Sequence, residues 1–115
     1  MTVRILSSPT TRRALASIAE SQFGDMVKAV VDVRRRVIAV GGELHSDEEA
    51  ALLEDGSRQE DLWGLNLYPA ERGEAWIEFD SVINIRPSQG NRSRGVDDAD
   101  LRRAIGEVVA VLVPE

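Results

Sequence analysis

Two β-branched apolar runs, Met26 to Val33 (MVKAVVDV) and Val37 to Val40 (VIAV), are separated only by Arg34-Arg35-Arg36. A gap that short has no room for a crossover, so two strands here pair antiparallel, as a hairpin. The turn lacks the Asn-Gly or Asp-Gly of the strongest hairpins, and a single bent strand is the alternative. Its three arginines read as a solvated tip.

The rest of the chain extends this sheet and covers it. Thr2 to Leu6 suits a short edge strand. Leu62 to Tyr68 alternates, with Trp63, Leu65 and Leu67 toward a core and Gly64, Asn66 and Tyr68 away from it. Trp76 to Arg86 alternates again: Ile77, Phe79, Ser81, Ile83 and Ile85 oppose Trp76, Glu78, Asp80, Val82, Asn84 and Arg86. Three helices are expected. The first runs from Pro9 to about Phe23, with Ser8 as N-cap and Gly24 as a left-handed stop. The second runs from Asp47 to Glu54 behind a capping box of Ser46 and Glu49. The third starts at Asp97 or Asp98 and reaches about Val113, with Leu101, Ile105, Val108, Val109 and Leu112 as its apolar stripe. The order (β)-α-β-β-α-β-β-α predicts an α+β fold: a mainly antiparallel sheet of four to five strands with amphipathic helices packed on one face.

At 115 residues the chain reads as a single domain, 1–115, large enough to hold a core without staples. It has no cysteine, which excludes disulfides, thiolate catalysis and sulfur-ligated zinc. No apolar run approaches the ~20 residues that span a bilayer, and the N-terminal stretch lacks the apolar region of a secretion signal. A soluble cytoplasmic protein without membrane contact is expected. The net charge of −6 disfavours a nucleic-acid coat.

Charge distribution says more than its sum. Between Asp80 and Asp97 there is no acidic residue, and the segment carries Asn84, Arg86, Gln89, Asn91, Arg92 and Arg94. Guanidinium groups clamp phosphate or carboxylate bidentately, and amides orient it, so these six are the candidate ligand-binding set. The competing reading is that the arginines pair with Glu78, Asp80 and the aspartates of the last helix. His45, the only histidine, follows Gly41-Gly42-Glu43-Leu44. It is the candidate general base, with Glu43 or Asp80 to orient it. One histidine with scattered carboxylates falls well short of a metal signature, so no metal site is assigned, and no cofactor follows from the sequence. Trp76 and Tyr68 are candidate contacts with a partner subunit. Walker, dinucleotide-binding and serine-hydrolase signatures are missing.

The blocks AVGGELH (39–45), LLEDGS (52–57), LWGLNLYP (62–69) and INIRPSQGNRSRGV (83–96) resemble those of a small family of uncharacterised prokaryotic proteins. The resemblance covers about Phe23 to the last helix. It implies that the GGELH block and the arginine loop belong to one pattern, and it brings no activity, cofactor or catalytic residue. Two functional readings follow. One is binding of a small anionic ligand through the loop 86–94, with phosphoester hydrolysis as the associated chemistry. The other is a non-enzymatic interaction module acting as a homodimer.

Overall fold

The computed structural model describes residues 2–115. Its sheet contains β1 (Arg4–Leu6), β2 (Val27–Asp32), β3 (Val37–Val40), β4 (Leu62–Leu67) and β5 (Ile77–Glu78). The spatial order is β1-β3-β2-β4-β5, antiparallel at every pairing. The α+β expectation holds, and so does the hairpin. Its turn is made by Asp32 rather than by glycine. Asp32 Oδ1 accepts the backbone N–H groups of Arg34 and Arg35, each at 2.9 Å, and Arg36 takes the left-handed conformation at φ 59°. Asp32 is wholly buried, while the three arginines stay exposed.

Helices α1 (Arg12–Ser21) and α3 (Ala99–Leu112) share one face. Leu15, Ala19, Ile105, Val108, Val109 and Leu112 pack there against Val27, Ala29, Val31, Ile38, Val40, Trp63, Leu65 and Leu67. The third helix, α2 (His45–Glu54), lies on the opposite face, where Leu52 meets Val30, Val37, Ala39 and Leu62. Placing all the helices on one face therefore holds for two of the three.

Both expected N-caps shift. Helix α1 starts after Thr11, whose hydroxyl accepts Ala14 N–H at 3.0 Å. Ser8 and Pro9 stay outside the helix, and Thr10 N–H reaches the Leu112 carbonyl at 2.8 Å, which ties the approach to the end of α3. Helix α2 starts one residue before Ser46, after Leu44, with no side-chain cap. The early start places His45 and Glu48, three apart on one helical face, onto the sheet. Asp98, one of the two expected starts of α3, caps it by accepting from Asp100 N–H at 2.8 Å.

The largest departure is the expected strand Trp76 to Arg86. It pairs with β4 only through Ile77 and Glu78, and the chain then turns into short 3-10 turns at Val82–Asn84 and Pro87–Gln89. Side chains take over where the strand stops. Asn84 Oδ1 accepts Gly64 N–H at 2.8 Å, and Asn84 Nδ2 donates to the Gly64 carbonyl at 2.9 Å. Arg86 donates to the Leu62 carbonyl. The backbone groups of β4 are thus satisfied by alternate side chains of the next segment instead of by its backbone.

Candidate functional site

The segment after β5 fixes what its polar residues can do. Asn84 is fully buried, with its amide shared between Gly64 and the Arg94 carbonyl. Asn91 is enclosed as well. Its Nδ2 donates to the carbonyls of Asn84 at 2.7 Å and Gly95 at 2.8 Å, and its Oδ1 accepts Asp97 N–H at 2.8 Å. Arg86 lies over the Trp63 ring, 4.1 Å from its centroid, and donates to the Gln59 carbonyl and to Gln89 Oε1. Gln89 in turn donates to the Glu60 carbonyl at 3.1 Å. These four side chains are committed to holding the chain together. Of the six expected ligand groups, Arg92 and Arg94 stand outside this network with exposed side chains, and Gln89 is exposed but bonded within it.

Arg94 alone of that set meets His45. Both line a cleft of about 230 Å³ between the start of α2 and residues 81–94, together with Lys28, Ser46 and Ser81. Leu44, Val82 and Ile83 form its apolar wall. Lys28, the only lysine, comes from β2, in register with Asn66, which is itself in register with Glu78. That polar row crosses three strands on the α2 face. Lys28 has no ion pair among the described residues; its ammonium sits 5.2 Å from the centroid of the Phe23 ring. Arg94 Nε donates to Asp80 Oδ1 at 2.6 Å, while its two Nη groups carry no hydrogen bond among the described residues.

His45 is buried, and its Nε2 lies 2.9 Å from the Leu65 carbonyl. A carbonyl only accepts, so Nε2 carries the proton, and the lone pair of the neutral ring is on Nδ1. Burial lowers the histidine pKa from its usual value, and the Leu65 hydrogen bond opposes that in part. The neutral form therefore dominates at pH 7. Neither carboxylate expected to orient the ring is bonded to it. Asp80 holds Arg94 and reaches His45 through charge only, and Glu43 lines a neighbouring groove with Phe23 and Lys28.

One residue of the site region escaped the sequence reading, which placed Glu48 in the acidic first turn of a helix. Glu48 is fully buried, its Oε2 accepts Gly42 N–H at 3.0 Å, and its Oε1 has no partner. Burial pushes its pKa up to about 9, so it is a neutral acid at pH 7. A Cβ on Gly42 would come within 2.8 Å of Glu48 Cγ, so the second glycine of the pair makes room for this side chain. The spacing His45-x-x-Glu48 behind Gly41-Gly42 was the available signal. Trp76, expected at a subunit contact, is 5% exposed in the core, with the Arg12 guanidinium 3.7 Å from its ring centroid. Among the described residues, no group of three or more His, Asp or Glu side chains could hold a metal ion, and no helix is long and apolar enough to cross a membrane.

The chain matches the model of a family described as a protein of unknown function (DUF5674) over residues 4–112, and it belongs to that family. No curated protein matches it, and no solved structure does.

Proposed function

We propose that this protein binds a small anionic group, a phosphate or a carboxylate, in the cleft between the start of α2 and residues 81–94. The observation that carries this reading is the meeting in one cleft of Lys28, which has no ion pair among the described residues, with His45 and Arg94. Two cationic side chains set the charge. The hydroxyls of Ser46 and Ser81 and the free Nη groups of Arg94 offer hydrogen bonds. The overall charge is −6, yet the described lining of the cleft includes no acidic side chain and Asp80 sits behind Arg94, so the cleft is a local exception suited to a small ion rather than a long polyanion. Should the bound group be a phosphoester, His45 Nδ1 is the base placed to accept a proton.

The test is an amide NMR titration with inorganic phosphate and acetate at low salt. Binding should move the amides of His45, Ser46 and residues 81–94, and Lys28→Ala or Arg94→Ala should weaken it at least ten-fold. Arg92→Ala, outside the cleft lining, should leave it unchanged. No displacement by either anion, or equal loss in all three variants, would remove the reading.

A further inference from the structure

We infer that the anion bound in this cleft is one end of an amphiphilic organic acid, a carboxylate or phosphate carried on an alkyl or aryl body. This rests on the anion-binding reading above and names the class of ligand. An inorganic ion would use only Lys28, Arg94 and the hydroxyls, leaving the wall of Leu44, Val82 and Ile83 idle. That wall does not end with the cleft. Leu44 and Lys28 also line a second groove, of about 370 Å³, whose outer side is Phe23. Phe23 is 42% exposed, Leu44 54% and Val82 63%, so a run of large apolar side chains faces solvent around the Lys28 ammonium. Lys28 sits where the two hollows join, over the Phe23 ring.

Polarity along this path gives it a direction. The charged end belongs beside Arg94, His45 and Lys28. Glu43 lines the outer groove and repels a second negative group there, so a monoanion with an uncharged tail fits better than a dicarboxylate. The tail would cover Leu44 and reach Phe23, and each methylene it removes from water tightens binding several-fold.

The experiment compares octanoate, acetate and octanol by amide NMR titration of the intact chain. Octanoate should bind at least ten-fold more tightly than acetate, and its shifts should extend from residues 45–46 and 81–94 to Phe23 and Glu43-Leu44. Phe23→Ser, outside the lining of the anion cleft, should reduce octanoate toward the affinity of acetate while acetate itself is unchanged. Phe23 is exposed, so the melting temperature checks that the fold is intact. If the two acids bind equally and the shifts stay around His45 and Arg94, the inference is overturned and the anion site stands. Octanol binding as tightly as octanoate would also overturn it. If neither acid binds, and inorganic phosphate does not either, the anion site and the inference fall together.

Discussion

A methyl group added to Gly64 would lie 2.6 Å from both Cβ and Oγ of Ser81. The missing side chain in β4 is therefore what lets the turn at Ser81 close onto the sheet, and Ser81 is part of the cleft wall. Gly64→Ala should destabilise the protein by about 1–3 kcal/mol, the usual penalty for overpacking. In a Ser81→Gly background the penalty should shrink, because the two nearest atoms are gone and only Ile83 Cγ1, at 3.1 Å, stays close. Urea denaturation of the four proteins of this cycle gives the coupling directly. Additive effects would mean that the two residues do not confine each other.

The amide of Asn84 does the work of a strand backbone against Gly64. Asn84→Ala would leave the Gly64 N–H and C=O buried without the amide, at about 1–3 kcal/mol per lost partner, while the Arg94 carbonyl keeps the Ser81 N–H at 2.9 Å. A loss of about 3 kcal/mol in urea denaturation is expected. Asn84→Asp keeps the acceptor for Gly64 N–H but replaces the donor with a buried charge, so it should be no milder than alanine. A variant within about 0.5 kcal/mol of the parent would show that water replaces the amide at no cost.

This substitution of side chain for backbone also explains what the sequence did and did not disclose. Alternation along Trp76 to Arg86 put Glu78, Asn84 and Arg86 on one row, and all three meet β4, but it set Trp76 with them, whereas Trp76 packs in the core with Ile77 and Phe79. It gave no sign that pairing would pass to side chains after Glu78, because periodicity reports which way residues point and not which atoms bond. The same limit applied to the arginine loop. Arg86, Gln89, Asn91, Arg92 and Arg94 look alike as polar loop residues, and only the fold shows that Trp63 and the carbonyls of residues 59–62 claim the first two. Lys28 was hidden for the opposite reason. It sits in an apolar strand between buried Val27 and Ala29, where one charge reads as an interruption, and its cleft is completed by residues up to 66 positions away in the chain. The core was easier to read, since Leu101, Ile105, Val108, Val109 and Leu112 can share a helical face in only one way.

Arginines of one loop should therefore separate by effect. Arg86→Ala removes a stacked guanidinium and its bonds to the Gln59 and Leu62 carbonyls, and should cost about 2 kcal/mol. Arg86→Lys should recover little of this, because a single ammonium cannot both stack and bridge two carbonyls. Arg94→Ala gives up one exposed ion pair and should leave thermal stability nearly unchanged while weakening phosphate binding. Thermal denaturation with and without phosphate measures both. If Arg94→Ala unfolded the protein instead, the Asp80 pair would be structural and the cleft would lose one of its two cations.

Glu48 makes stability depend on pH in a definite direction. Its folded pKa, about 9, lies above the ordinary 4.5, so between these values the folded chain holds a proton that the unfolded chain has released. Stability from this group is full below pH 4.5 and is lost as pH rises toward 9, by up to about 1.4 kcal/mol per unit. His45 acts in the other direction and in another window, since its lowered pKa costs stability only as pH falls below about 6.5. The interval from pH 7 to 9 therefore isolates Glu48. Over it the parent should lose about 2 kcal/mol more than Glu48→Gln, which cannot ionise, when both are measured by urea denaturation. Parallel profiles would mean that Glu48 is already ionised in the folded protein. Lys28 is the cation among the described residues whose charge favours its ionised form, so Lys28 would then be spent inside the fold and not free to bind an anion.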